Sequence, residues 1–370
     1  MRANVRSLVD AGRLREALET LQESRAPSLD DLVLKSELEA ASGNRSAAYD
    51  LSQALLSRDC TPSQRIRALL VLAKIDFYLG RLSQGHSQLQ QARSIAASAG
   101  DTHLACLVLG ILVDCLFHFE SFESGLAHLS EFKRAAIRSG RPDDLFNLRT
   151  LLAEAELKAG RVHRAARELE LAAVHLQAAP SLAREAQLSF VRGLVFISLG
   201  QLNSAHADLR KAVDVAAVAG ATTIEEPSRN NLAHLEVVRG HYSAASELID
   251  KLVNPRPRSL DVELLRRATQ LQLAAETSAV DTAEAIQQEF GPIAEARDSV
   301  HAHWFNLARA AYLLRSADVD EAYRLSNSVL ERIEGGSDRD LIDKTRLVVA
   351  KHWLGLANRW ARCVCCQRWP

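Results

Sequence analysis

Three turns of one design, 40 residues apart, constrain this chain more than any other feature. They read Ala-Gly-Arg-Val at 159–162, Leu-Gly-Gln-Leu at 199–202 and Arg-Gly-His-Tyr at 239–242. Each glycine (Gly160, Gly200, Gly240) is followed two places on by an apolar residue, Val162, Leu202 or Tyr242. Five places on comes an alanine, Ala165, Ala205 or Ala245. Seven places before each glycine stands a small residue, Ala153, Gly193 or Ala233. A period of this length marks copies of one supersecondary unit, each unable to bury its apolar face except against its neighbours.

The frame extends in both directions. Ala-Gly-Arg-Leu at 11–14, Ser-Gly-Asn-Arg at 42–45 and Leu-Gly-Arg-Leu at 79–82 are earlier turns, with Gly85 in place of the alanine in the last. At 119–122 the turn is Phe-Glu-Ser-Phe, in register but without its glycine, and Gly125 takes the small position. Ser278–Ala283 and Ala317–Ala322 fit the same template, and a last first helix is expected from about Asp338 to Leu354. A glycine ending a helix supplies the left-handed conformation that a C-cap wants. The small residues let the two helices of a hairpin approach, and Leu169, Leu209 and Leu248 supply an apolar stripe between hairpins. Links with helix-breaking residues are expected at 139–143, 179–181, 226–228 and 254–258. The last, Asn-Pro-Arg-Pro-Arg, predicts a bend between residues 1–253 and 259–357.

Composition agrees with helices throughout. Hydrophobic residues are 47% of the chain and aromatics only 5%, and period-2 alternation is scarce. The fold class that follows is all-α, a right-handed α-solenoid of about nine helical hairpins. With 45 basic and 46 acidic residues there is no basic excess to neutralise phosphate, so no direct nucleic-acid partner is expected. The most apolar run, 104–119, is about 16 residues where a spanning helix needs roughly 20, and it contains Asp114 and His118. It reads as a buried core helix, with no membrane partner. Six cysteines show no disulfide spacing, and no apolar leader precedes the first helix, so the expected location is cytoplasmic.

The pattern of small residue, glycine seven on, apolar residue two further and alanine three further resembles the tetratricopeptide repeat family. It is kept best at Gly193/Gly200/Leu202/Ala205 and Ala233/Gly240/Tyr242/Ala245. The resemblance is strong over 60–253 and weak over 1–58 and 259–357. The usual period is about 34 residues. The longer period here is similar to repeat regions of bacterial maltose-activator-like transcriptional regulators. In this family the concave surface is lined by first helices, and the residue after the small position faces it. That position holds Lys74, Asp114, Glu154, Leu194, His234 and Gln272, with Phe190 and Asn230 one helical turn earlier in their helices. Such a ladder would suit an extended peptide or an amphipathic helix. A clamp of lysines and asparagines for a carboxylate does not fit, because Asp114 and Glu154 occupy the middle.

No phosphate-binding loop, zinc-protease helix, nucleophile elbow or calcium loop is present. His301 and His303 are two apart on a helix and point in different directions, which excludes a shared metal. Cys363, Cys365 and Cys366 lack a fourth ligand at zinc-site spacing. No enzyme, cofactor or metal is therefore expected. Nothing after Gly355 supplies a polar capping helix, so the Cys/Trp-rich tail, 358–370, reads as truncated or disordered. The function implied is a non-enzymatic interaction scaffold holding a protein segment in its groove, the sensory or scaffolding part of a bacterial regulator. The alternative is a peptide or small-ligand receptor, which a closed pocket lined by Phe190, Asn230 and His234 would favour.

Overall fold

The computed structural model describes residues 2–23, 27–252 and 259–349, less 317, 335, 337, 340 and 348. Among the described residues there are eighteen helices, α1 to α18, and no strand. In order they are α1 (Arg2–Asp10), α2 (Leu14–Gln22), α3 (Leu29–Ala41), α4 (Arg45–Leu56), α5 (Pro62–Tyr78), α6 (Leu82–Ala99), α7 (Thr102–Phe119), α8 (Phe122–Ser139) and α9 (Pro142–Lys158). There follow α10 (Val162–Ala178), α11 (Leu182–Ser198), α12 (Leu202–Ala219), α13 (Thr222–Val238), α14 (Tyr242–Asp250), α15 (Leu260–Thr277), α16 (Val280–Glu295), α17 (Val300–Arg315) and α18 (Val319–Ile333). Taken in order they form nine pairs, the all-α solenoid that the repeat predicts. First helices start at residues 62, 102, 142, 182 and 222, keeping the 40-residue step.

The turns form for the expected reason. Gly160, Gly200 and Gly240 have φ of 75°, 70° and 78°. Where the glycine is missing, other chemistry replaces it. Ser121 caps α8, its Oγ accepting a hydrogen bond from the Ser124 amide at 3.0 Å. Ser278 itself takes the left-handed conformation, φ 56°, at the end of α15, and is the only non-glycine residue among those described to do so.

Helix pairs meet at their small residues, and the structure shows a trade that the alignment of turns only hinted at. In the third and fourth pairs the first helix carries Phe77 or Phe117, both fully buried. A Cβ on Gly85 would lie 2.5 Å from the Phe77 ring, and one on Gly125 only 2.1 Å from the Phe117 ring. These two pairs carry glycine because their first helices carry phenylalanine. Where Ala165, Ala205 and Ala245 stand instead, the facing first-helix positions hold Leu157, Ile197 and Val237.

Close contacts divide the chain into two compact units, one of residues 1–157 and 161–235, the other of 158–160 and 236 onward. The bend expected at 254–258 lies outside the described residues, as does the tail 358–370. In the first unit the largest core joins α5 to α9 around Ile66, Leu112, Leu116, Phe132 and Leu148. A second follows from α9 to α11, around Phe146, Leu169, Leu188 and Val191. In the second unit Leu264, Leu271, Phe290 and Phe305 form the core. Helix α7 is the one described helix long and apolar enough to cross a membrane by length and composition. Nine of its side chains are buried, among them Leu104, Val108, Leu112 and Phe117.

One expected link is wrong. Residues 226–228 do not break the chain, because Pro227 lies inside α13, and the link is at Gly220 and Ala221. Pro227 is the sixth residue of its helix, so it removes one backbone bond only, that to the carbonyl of Thr223. Thr223 is exposed, and water can satisfy that carbonyl.

Two substitutions test this account by thermal or urea unfolding. Gly125→Ala drives a methyl group into Phe117 and should lower stability by about 1–3 kcal/mol. Ser278→Gly relieves a left-handed L-residue and should raise it by about 1 kcal/mol.

Candidate functional site

The ladder is best developed on α5, α7 and α9, three successive first helices of the first unit. Lys74 is exposed on α5. Asp114 on α7 and Glu154 on α9 occupy the same repeat position. They are joined by a residue that the ladder omitted, His118. Its Nε2 lies 3.4 Å from Asp114 Oδ1 and 3.4 Å from Glu154 Oε2. His118 stands one helical turn after Asp114, which brings both to one face of α7.

Aromatic contacts hold this end of the ladder. The His118 and Phe119 rings meet edge-on with centroids 6.4 Å apart, and Phe119 meets Tyr78 of α5 at 6.1 Å. The Arg45 guanidinium in turn covers the Tyr78 ring at 3.7 Å.

The electrostatics follow from this arrangement. Crowding by its neighbours pushes the Asp114 pKa up. The His118 hydrogen bond and charge, with the Lys74 ammonium, outweigh that and hold the group below the usual carboxylate range. Glu154 is 8% exposed, while the Asp114 and His118 side chains keep 36% and 42%. Partly exposed ion pairs of this kind are worth only about 0–1 kcal/mol each. The Asp114–His118 pair is therefore a small contributor to folding, and His118 is a suitable place for substitution.

The remaining ladder residues have different surroundings. Phe190 packs, half-buried, against the core of α9–α11, and Leu194 is half-buried one turn later. Nearby, Arg192 of α11 makes a two-pronged bond to Asp208 of α12, at 2.6 and 2.5 Å, which ties that hairpin together. Asn230 on α13 is 8% exposed, and its Oδ1 has no hydrogen-bond partner among the described residues. His234 is half-buried on the same helix. Gln272 is half-buried on α15, in the second unit. The structure thus brings Lys74, Asp114 and Glu154 together, whereas Phe190, Leu194, Asn230 and His234 continue along α11 and α13.

Other groupings of reactive side chains have structural explanations. Cys106, His103 and Asp144 lie together where α7 meets α9. His103 Nδ1 is 2.8 Å from Asp144 Oδ2, and Ser139 donates to the same oxygen. Burial, with Asp144 beside it, pushes the Cys106 thiol up to about 12. A thiol so raised is not a nucleophile at neutral pH. Burial also raises the Cys115 thiol, next to Asp114. His303 is buried and turned towards Asp298 at 3.1 Å. No group of three or more His, Cys, Asp or Glu side chains placed to hold a metal ion occurs among the described residues. In the second unit Glu295 takes Arg309 at 2.5 Å and Arg324 at 3.0 Å, and both arginines also reach Glu321. These ion pairs join α16, α17 and α18 beside their apolar core. A cavity of about 350 Å³ lies between α4, α5 and α6, lined by Leu56, Arg65, Leu69, Gln91, Ser94 and Ile95. No ladder residue lines it.

No family model and no curated protein matches this chain. Solved structures do match it. A Rap protein complexed with Competence and Sporulation Factor is 12% identical with a TM-score of 0.54, covering 96% of this chain and 97% of that one. A monomeric IFIT1 mutant with m7Gppp-AAAA is 14% identical with a TM-score of 0.52, covering 93% and 79%. A signal-transduction ATPase with a tetratricopeptide repeat sensor, from Pyrococcus horikoshii, is 17% identical with a TM-score of 0.46. That match covers 90% of this chain, which spans about half, 54%, of the ATPase. The fold is tetratricopeptide-repeat-like.

The site generates one direct prediction. In His118→Ala the Asp114 carboxylate loses its main stabilising partner, and its pKa should rise, read by carboxyl carbon NMR. A carboxylate depressed in the folded state contributes stability above its unfolded pKa and loses it as pH falls through its folded value. Wild-type protein should therefore lose more stability on acidification below about pH 4 than His118→Ala does.

Proposed function

We propose that this chain is a non-enzymatic interaction module that holds an extended segment of a protein partner along its first-helix ladder. The observation that carries the reading is the contact chain Asp114–His118–Glu154 joining α7 to α9, with the Lys74 charge of α5 acting on Asp114. Repeat register gives these helices equivalent faces. Their polar side chains meet each other across hairpins, where a purely structural surface would need only the apolar contacts beneath. An extended peptide offers backbone amides and alternate side chains along such a row. Two carboxylates at its centre suit a basic or neutral segment and oppose nucleic-acid phosphate.

A second reading is favoured by the match to the Rap protein complexed with Competence and Sporulation Factor, which extends over nearly the whole of both chains. In it the ladder is a receptor for a short peptide or small ligand, and Phe190, Leu194, Asn230 and His234 form the apolar and polar halves of its site. Under either reading the chain serves as the sensory or scaffolding part of a bacterial regulator of the maltose-activator-like kind, working in the cytoplasm.

A peptide array probed with the purified chain tests the proposal. Bound peptides should be enriched in lysine and arginine. Glu154→Lys should weaken them by about tenfold or more, the size of one reversed charge contact. Glu154→Gln, which keeps the shape, should weaken them less. Equal binding by all three proteins would move the interaction away from the ladder.

A further inference from the structure

The helical ribbon of the first unit touches itself. In a run of hairpins, the turns inside pairs lie along one edge and the links between pairs along the other. The turn of the first pair, residues 11–13, meets the links before and after the sixth pair, α11–α12. The Leu182 amide donates to the Ala11 carbonyl at 2.9 Å, and Arg15 Nη2 donates to the Ala217 carbonyl at 3.1 Å. Leu14 sits against an alanine cluster formed by Ala186, Ala216, Ala219 and Ala221.

Two glycines make this approach possible. A Cβ on Gly12 would lie 2.5 Å from Ser181 Oγ and 2.6 Å from the Ala183 nitrogen. One on Gly220 would lie 2.9 Å from Arg15 Cβ and 3.1 Å from the Arg15 nitrogen. The turn glycines Gly200 and Gly240 and the link glycines Gly100 and Gly140 face open space. Gly200, the same turn position as Gly12, and Gly140, the same link position as Gly220, have nothing within 4 Å.

We propose that the hairpin α1–α2 is a latch. By joining the first pair to the sixth, it closes one superhelical turn and fixes the curvature of the inner face on α5, α7 and α9. A solenoid is otherwise a spring, because each hairpin contacts only its neighbours. A contact across five steps removes that freedom and preorganises the surface between them. The seam is also thin. Among the described residues it has two polar contacts and one half-buried leucine, so it opens more readily than the hairpins themselves unfold. Release of the latch would loosen the inner face without melting it, giving the chain a closed and an open form.

The Leu182 amide reports on the seam directly. It is the first residue of α11, so it has no acceptor within its own helix. Its protection from hydrogen exchange depends on Ala11. Amide exchange resolved to single residues, together with small-angle X-ray scattering, would compare wild type with five variants. In Gly12→Ala and Gly220→Ala the Leu182 amide should exchange about tenfold faster or more, and the radius of gyration should increase. In Gly200→Ala and Gly140→Ala, which impose the same backbone strain at open positions, both should stay at wild-type values. Arg15→Ala, which disturbs no backbone geometry, should accelerate the same amide more modestly. An unprotected Leu182 amide in the wild type would overturn the latch. So would equal acceleration in all four glycine variants. Faster exchange with an unchanged radius would overturn its control of curvature.

Discussion

The described hairpins depend on two helices coming close at one point, where a small residue on one helix makes room for the other. Ala153 meets the neighbourhood of Ala165, and Gly193 accepts Leu209, whose Cγ lies 2.8 Å from where a Cβ would stand. Where a first helix brings phenylalanine to the crossing, the second answers with glycine, as at Phe77/Gly85 and Phe117/Gly125. Volume is conserved across the contact while sequence is not. Interiors at crystal-like density leave no other way to keep the spacing constant. The 40-residue step itself comes from paired helices of 17 or 18 residues joined by short turns.

That step carries the consequence for function. Equal spacing puts one repeat position of each first helix in line with the same position of the next. Asp114 and Glu154 are neighbours in space for this reason, although 40 residues separate them, and His118 can touch both. Burial raises the thiols beside the line, and they are not nucleophiles at neutral pH. What remains is a row of charge and hydrogen-bonding capacity, with apolar surface at Phe190 and Leu194. Recognition of an extended chain needs little more than such a row.

Much of this was legible because it is periodic. The turn glycines, the small residues before and after them and the first-helix starts at 62, 102, 142, 182 and 222 all repeat. The features that escaped do not repeat. Pro227 looked like a break because proline usually is one, yet so near a helix start it costs a single exposed bond. Ser278 adopts a glycine-like conformation that only its place in the frame could suggest. His118 was visible as an i, i+4 partner of Asp114, a signal masked by the apolar run around it. The seam joins residues about 170 apart in sequence, Ala11 and Leu182, and no local pattern announces such a contact. Gly12 and Gly220 gave no warning either, because turn and link glycines elsewhere look the same.

The central claim is that the first-helix face is the recognition surface, and not the outer face made by second helices. A photo-reactive phenylalanine analogue placed at Leu194 on α11 or at the exposed Val218 on α12 distinguishes them. Peptides selected from a random display library on the intact chain would be irradiated with each protein, and the adducts mapped by mass spectrometry. The account predicts adducts at 194, carried by neutral or basic peptides, and few at 218. Adducts at 218 alone, or selection of acidic peptides, would contradict it.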